Sequence, residues 1–423
     1  MARRSGLRAL SRPAQIVLLG GIVNSFGTGL VIPFFGIYLR EGAGLSISKA
    51  GLVLAVFGLS GIAATPVVGQ LVDRIGSKTV CLLLLAIAAS GFGAFVAVHD
   101  FPTAIAAAVL AGVGNGGFWP AQSTLLSALT RSDQQTVVFA ANRAAMNMGI
   151  GLGGVVGGFI AVNGHPSTYD RLFIIDVVTF LLFAGVVATI HVPQAPVAAA
   201  HEPPPSFRSV LAVPFFRRLL AVDLATAVTF SLAFELLPIH AAGRLGIANH
   251  VIGGFFLVNT FAVAFAQLPM VRILQGRRRM PAYELMHVVY AAGLLAILLA
   301  PALAHSMRLV LLGLVMLALG VAETVYGAVR PAIVTELFPP AVLGRAFALS
   351  TTVLNIGMSA TRAGGGALLD RSPSAPWIVG AAICLAAAIA SKRMERIIPA
   401  GSTHNPLPTA ETAPAPAAAP PPL

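Results

Sequence analysis

Residues 137–158 read VVFAANRAAMNMGIGLGGVVGG, and residues 345–366 read RAFALSTTVLNIGMSATRAGGG. Laid over one another at a constant offset of 208, they pair Phe139 with Phe347, Asn147 with Asn355, Gly149 with Gly357, and Gly157-Gly158 with Gly365-Gly366. Prolines repeat in the same order: Pro33 meets Pro238, Pro66 meets Pro269 and Pro120 meets Pro331, at offsets of 205, 203 and 211. Small drifts of this kind are what loop insertions produce. One match is chance, but four in the same order mean that the chain is built twice.

The repeated unit is helical and lies in lipid. Hydrophobic residues make up 57% of the 423 positions and charged residues 10%, whereas soluble domains carry about 25% charge. Apolar runs of spanning length, about 20 residues, occur near 14–39, 46–72, 79–98, 102–130, 135–162, 171–191, 215–241, 251–275, 282–304, 308–337, 342–369 and 374–391. They predict an all-α integral membrane protein of twelve transmembrane helices in two pseudo-symmetric six-helix halves. The 43 glycines suit helices packed closely in lipid. A net charge of +12 would also fit a nucleic-acid binder. The basic residues, however, sit in short clusters between apolar runs, which is a membrane-orientation pattern, and no nucleic-acid partner is expected. Cys81 and Cys384 fall inside apolar runs far apart and read as small buried residues. No metal or cofactor is expected.

The basic start MARRSGLRALSR precedes an apolar stretch of about 25 residues, too long for a secretory signal core and with no A-x-A cleavage site after it. It reads as a cytoplasmic tail, 1–13, before a retained span. The first half then covers 14–192, a linker 193–213, the second half 214–391, and a tail 392–423. The stretch HVPQAPVAAAHEPPPSFRS is rich in proline, as linkers are. GSTHNPLPTAETAPAPAAAPPPL is Pro/Ala low-complexity sequence and is expected to be disordered. With the N-terminus inside, eighteen Lys and Arg fall in cytoplasmic segments and six in outer loops, which places both termini in the cytoplasm.

After the second run stands Gly69-Gln-Leu-Val-Asp73-Arg74-Ile-Gly76-Ser-Lys78. Gly69 would allow close helix approach, Asp73 could cap a helix or pair with an arginine, and Gly76 permits a turn. The stretch resembles the G-x-x-x-D-R-x-G-[RK]-[RK] signature of the major facilitator superfamily, with Ser77 where a basic residue is usual. Its counterpart, Pro269-Met-Val-Arg272-Ile-Leu-Gln-Gly276-Arg277-Arg278, keeps the basic end and lacks the acid. In the fifth run, Gly149-x-x-x-Gly153-Gly154-x-x-Gly157-Gly158 is similar to the G-x-x-x-G-P-x-x-G-G pattern of proton-coupled exporters in that superfamily, with Gly154 in place of the proline. Glycines four apart also bare one helix face for packing. Ala108 stands where many such exporters have an arginine before Gly112-Val-Gly114, so no relay role is carried over to it. The resemblance covers 14–391. It implies a monomer in the bilayer, with the first, fourth, seventh and tenth helices around a central cavity and a rocking, alternating-access cycle. For Asp73 it implies a role in a cytoplasmic gate.

The candidate charges inside the runs are Arg143, Asp176, Glu235, Glu323, Arg330 and Arg362. Each costs about 2.5–3.5 kcal/mol at mid-bilayer and needs a reason. The family architecture implies that Glu235, Glu323 and Arg330 border the cavity. Glu323 and Arg330 are seven apart, on one helical face, and Glu235 and Arg362 lie at similar depth. Structural ion pairs account equally for the arginines, and Asp176 is expected at the outer boundary or against a neighbouring helix. Protonation would remove the cost of Glu323, which makes it the first candidate coupling acid and Glu235 the next. Asn24, Gln122, Asn147 and Asn355 add scattered polar groups. The substrate or coupling set is therefore Glu323, Arg330, Glu235, Asn115, Trp119, Tyr326 and Arg143. So sparse a polar lining suits a bulky amphipathic substrate better than a sugar.

The sequence thus reads as a secondary transporter for small apolar or amphipathic compounds, exported against protons. Transport of a polar metabolite by the same fold, and a non-transporting receptor or scaffold, remain open alternatives. An enzyme is not expected, because the nine histidines are scattered with no H-x-x-x-H or nucleophile elbow. No G-x-x-x-x-G-K-[ST] occurs that would bring ATP to this chain.

Overall fold

The structure is a computed structural model that describes residues 10–131, 134–162, 165–192, 207–399 and 403. Most of the expected tails and of the 193–213 linker, and the side chain of Asp73, lie outside the described residues, while 392–394 of the expected tail continue the last helix. Twelve long helices follow one another: α1 Arg12–Glu41, α2 Ile47–Ile75, α3 Ser77–Ala94, α4 Phe101–Ala128, α5 Gln135–Ile160, α6 Pro166–Thr189, α7 Pro214–Gly243, α8 Asn249–Leu274, α9 Arg279–Ile297, α10 His305–Leu337, α11 Pro340–Arg371 and α12 Ala375–Met394. A short helix, Phe207–Leu211, precedes α7. Several starts follow from local chemistry. Ser11, Ser46 and Asp100 each accept a hydrogen bond from the backbone N–H three residues on, and proline stands in the first turn of α1, α4, α6 and α7. The hydrogen bonds that Asp100 receives from Thr103 hold its carboxyl below the usual carboxylate range.

Ten of these helices are long and apolar enough to cross a membrane by length and composition. The other two long helices, α5 and α11, carry polar groups because they face protein. Helix α5 packs on α1 and α8, and α11 packs on α7 and α2. The packing scheme repeats with a shift of six helices. The contacts α1–α5, α1–α6, α2–α4, α3–α4 and α3–α6 recur as α7–α11, α7–α12, α8–α10, α9–α10 and α9–α12. Across the seam α2 meets α11 and α8 meets α5, again the same contact twice. The turn glycines repeat as well, Gly76 at φ 82° and Gly276 at φ 67°, a conformation that favours glycine. Cys81 and Cys384 are both buried and free.

One end of the bundle carries the starts of α1 and α7 and the end of α6 and is called the linker end; the opposite is the far end. At the far end the halves are closed. Ser48 donates to Asp370 from its backbone N–H (2.7 Å) and its hydroxyl (2.5 Å). Asn249 donates to the Ala161 carbonyl (3.1 Å) and the Tyr169 hydroxyl (2.9 Å), and Tyr169 donates to Glu41 (2.9 Å). Glycine lets the backbones meet there: a methyl at Gly253 would lie 2.5 Å from the Gly154 carbonyl oxygen, and one at Gly366 would lie 2.8 Å from that of Ile47.

Toward the linker end the seam parts. A methyl at Gly69 would meet nothing within 4 Å, so the close approach expected there is absent in this conformation.

The glycine-rich face of α5 is two faces. Gly149, Gly153 and Gly157 lie on α1, where methyls at the first and third would come 2.6 Å from the Ile22 carbonyl oxygen and 2.7 Å from that of Leu30. Gly158 instead faces α8 of the other half, 2.7 Å from the Asn249 carbonyl oxygen on the same measure. Gly154 has room, with its closest neighbour, Pro33, at 3.6 Å.

Candidate functional site

Glu323 stands near the middle of α10, half-buried, with no hydrogen bond or ion pair among the described residues. Its surroundings are aromatic. Tyr290 of α9 lies within its electrostatic reach. The Phe230 ring sits 6.2 Å from Tyr326, 6.5 Å from Tyr290 and 6.2 Å from Phe234, and Phe234 reaches Phe256 of α8 at 5.5 Å. Helices α7, α8, α9 and α10 thereby build one wall of largely apolar rings, and Glu323 stands one turn before Tyr326 of that wall. The cation that faces the carboxyl comes from the other half. Arg143 of α5 acts electrostatically on both Glu323 and Tyr326, yet it is exposed. An exposed guanidinium in the middle of α5 fits an opening between the halves, called here the crevice.

Arg330, two turns from Glu323 on α10 and expected to border the cavity, is buried against α7 instead. Its Nε donates to Asp223 at 2.9 Å, and its Nη2 lies 2.8 Å from the same oxygen. Side-chain exposure is 4% for Arg330 and 0% for Asp223, so water does not mediate the pair. Tyr283 of α9 donates to the other Asp223 oxygen at 3.3 Å. His287 continues the network, its Nδ1 lying 2.8 Å from the Tyr283 carbonyl oxygen and its Nε2 3.5 Å from the Thr226 hydroxyl. The physical reason for the displacement is simple: α7 brings a carboxylate to Arg330, and a desolvated guanidinium goes where its charge is matched.

Glu235 and Arg362 form a two-pronged pair, with Arg362 Nε to Oε2 at 2.6 Å and Nη2 to Oε1 at 2.5 Å. Ser231 adds a hydrogen bond to Glu235 at 2.8 Å. Arg362 also donates to the Leu54 carbonyl of α2 at 3.3 Å, so this guanidinium ties α7, α11 and the opposite half together. Glu235 sits in a π-helical turn, Leu232–Leu236, an irregularity frequent at functional positions.

Asp176 is fully buried against α1. It accepts from the Thr179 hydroxyl at 3.3 Å on one oxygen and has no partner on the other among the described residues. Asn115 and Trp119 of α4 are half-buried, and Trp119 packs on Phe118 at 5.8 Å. In the 69–78 stretch Arg74 is exposed, while Lys78 donates to the carbonyls of Ala188 (2.8 Å) and Ile190 (2.7 Å) and so caps the end of α6. In the equivalent loop of the second half Arg279 is fully buried and grips Glu336 of α10 through two nitrogens at 2.5 and 2.7 Å. No group of three or more His, Cys, Asp or Glu that could hold a metal occurs among the described residues.

Sequence reasoning overlooked Asp223 and the rings of Phe230, Phe234, Phe256 and Tyr290. Phe230 and Phe234 carried a usable signal, being four apart on one helical face of a helix expected at the cavity.

The family model described as Major Facilitator Superfamily matches residues 17–317, and the chain belongs to that superfamily. It is 31% identical over 157 residues to the quinolone resistance protein NorA of Staphylococcus aureus (strain Mu50 / ATCC 700699), covering 37% of this chain and 40% of that protein. It is 27% identical over 178 residues to the uncharacterized MFS-type transporter YttB of Bacillus subtilis (strain 168), covering 42% and 44%. The matches therefore span about two fifths of the length of these relatives. Among solved structures, a D-xylose-proton symporter superposes with TM-score 0.71 at 16% identity, over 90% of this chain and 97% of that one. The nucleoside transporter NupG does so with TM-score 0.68 at 14% identity, over 91% and 99%. At such identities the likeness concerns the fold alone, which is that of the superfamily.

Proposed function

We propose that this member of the major facilitator superfamily exports small apolar or amphipathic compounds in exchange for protons, by alternating access between its two halves. The observation that carries the reading is Glu323, a lone carboxyl beside a wall of aromatic rings, faced across the crevice by Arg143. A flat amphipathic molecule fits between rings, and one acid is enough to bind a proton in its absence. The relative named for quinolone resistance supports export of such compounds. A sugar would demand a denser set of hydrogen-bonding groups than this wall supplies.

In this reading the linker end and both termini face the cytoplasm of a cell whose plasma membrane holds the protein as a monomer. The present conformation, closed at the far end, would then load substrate from the cytoplasm or the inner leaflet. Proton release and substrate entry compete at Glu323, so neither flow completes alone. One proton falling through 100 mV releases about 2.3 kcal/mol, enough for roughly a 50-fold gradient of a neutral substrate.

The test is Glu323→Gln in proteoliposomes with a fluorescent amphipathic cation and an imposed pH gradient. Gradient-driven accumulation should vanish, while binding of the dye and its downhill exchange persist. Accumulation at the wild-type rate would remove Glu323 from the coupling role.

A further inference from the structure

We infer that the groove between α7 and α12 is a binding site for one anionic phospholipid. The groove is a 670 Å³ cleft at the linker end of the second half, walled by Ala221 and Ala225 of α7 and by Ala386 and Ala390 of α12, with Arg218 and Arg393 on its lining. It is separate from the crevice, since neither the aromatic rings near Glu323 nor Arg143 contribute to it.

The cleft exists because of side-chain size. In the first half the corresponding helices, α1 and α6, close on one another, and a methyl at Gly20 would come 2.6 Å from Phe183 and 3.2 Å from Val186. In the second half alanines stand on both walls, and the space between the helices is left open. Exposed Ile389 (54%) and Ile397 (44%) continue the apolar surface into the membrane-facing side.

Length and charge identify the occupant. The α12 wall runs from Ile383 to Met394, eleven helical steps, or about 16 Å at the helical rise. That is half of a hydrocarbon core of about 30 Å, hence one leaflet and one acyl chain. The two guanidiniums sit where a chain entering from that leaflet would carry its phosphate. Arg217 and Arg396, both exposed, strengthen the positive field, while Glu395 is paired with Arg278 and Glu284 with Lys392 at 4.0 Å. A zwitterionic headgroup gains little there; a headgroup of net negative charge gains from every one of these cations.

Native mass spectrometry of the full chain in detergent, titrated separately with phosphatidylglycerol and phosphatidylcholine, tests this. One phosphatidylglycerol should be retained in preference to phosphatidylcholine. Arg218→Gln with Arg393→Gln should weaken phosphatidylglycerol binding about 30-fold, on the basis of two surface cations lost. Ala386→Phe keeps both arginines and fills the cleft, and should also abolish the retained lipid. Arg371→Gln, at the far end, should leave binding unchanged. If the double variant does not fold, as judged by elution and helical circular dichroism, the Ala386→Phe variant decides alone. Equal retention of the two lipids, or phosphatidylglycerol binding undiminished by filling the cleft, overturns the proposal.

Discussion

Two alanine substitutions three residues apart on α5 should have opposite effects. At Gly154 a new methyl would meet its nearest atom, on Pro33, at 3.6 Å, which is ordinary contact. Alanine there should leave stability unchanged or raise it, since alanine favours helix over glycine by about 1 kcal/mol. At Gly157 the same methyl would lie 2.7 Å from the Leu30 carbonyl oxygen and 3.0 Å from the Phe34 ring. The ring can turn, but the carbonyl belongs to α1 and cannot, and the shortfall against normal contact is roughly 0.7 Å. Helix α1 must move away along its whole packed length, and overpacking of that kind costs about 1–3 kcal/mol. The gap between the two variants should therefore be about 1–3 kcal/mol. At about 2–4 °C per kcal/mol for a unit the size of one half, it should appear as several degrees in a thermal melt. The assay is intrinsic-fluorescence unfolding of both purified variants beside the wild type in one detergent. If Gly157→Ala melts with Gly154→Ala, helices α1 and α5 do not touch as described and the packing argument fails.

Gly158→Ala places its methyl between the halves, 2.7 Å from the Asn249 carbonyl oxygen, and should pry the far end open without unfolding either half. Labelling of Ser48→Cys from the far side should rise several-fold in that background; unchanged labelling would refute the closure. Asp223→Asn leaves the buried Arg330 unmatched and should destabilise by about 3–5 kcal/mol, whereas Asp223→Leu with Arg330→Met should recover most of that loss in the same melts. Wild-type stability in the single variant would show that the pair is not buried as described. For orientation, cysteines introduced in the 193–206 connection and in the 404–423 tail should be labelled only after the membrane is permeabilised, and labelling of either in intact cells would reverse the topology.

How far the sequence revealed this arrangement depends on the range of each interaction. Glycines four apart on α5 are a local pattern, and their packing role could be read directly. That Gly153 serves α1 while Gly158 serves α8 could not, because it depends on which helices flank α5. The spacing of seven does put Glu323 and Arg330 on one face of α10. Burial along that face is decided by how closely α7 approaches, and α7 covers Arg330 with an acid 107 positions away in sequence. Asp223 escaped notice for a related reason: it lies five residues after Arg218, near the helix start, and reads as an interfacial charge. Glu235 and Arg362, by contrast, were placed at equal depth from sequence alone, and their pairing follows once α7 and α11 are neighbours. Gly69 shows the remaining limit. Its face is unpacked here, and in the proposed cycle its packing would change with conformation, which one sequence does not separate.

The distribution of bonds explains how such a molecule could rock at modest energetic cost. The strong ion pairs described here join helices within the second half: Asp223 with Arg330, Glu235 with Arg362, and Arg279 with Glu336. Separating the halves leaves all three intact. What spans the seam is of another kind: the backbone approaches at Gly253 and Gly366, the bonds from Ser48 and Asn249, and one donated hydrogen bond from Arg362 to Leu54. These groups are polar but, apart from Asp370 and Arg362, uncharged, and water can replace each partner as the far end opens. Hydrogen bonds exchanged for water change the free energy by only about 1 kcal/mol each. Had either buried pair, Asp223 with Arg330 or Glu235 with Arg362, been built across the seam, every opening would have left two desolvated charges unmatched, at several kcal/mol apiece. That is more than the roughly 2.3 kcal/mol which one proton supplies through 100 mV. Keeping these ion pairs inside one half and the glycines on the seam is thus an arrangement that suits the proposed proton-driven cycle.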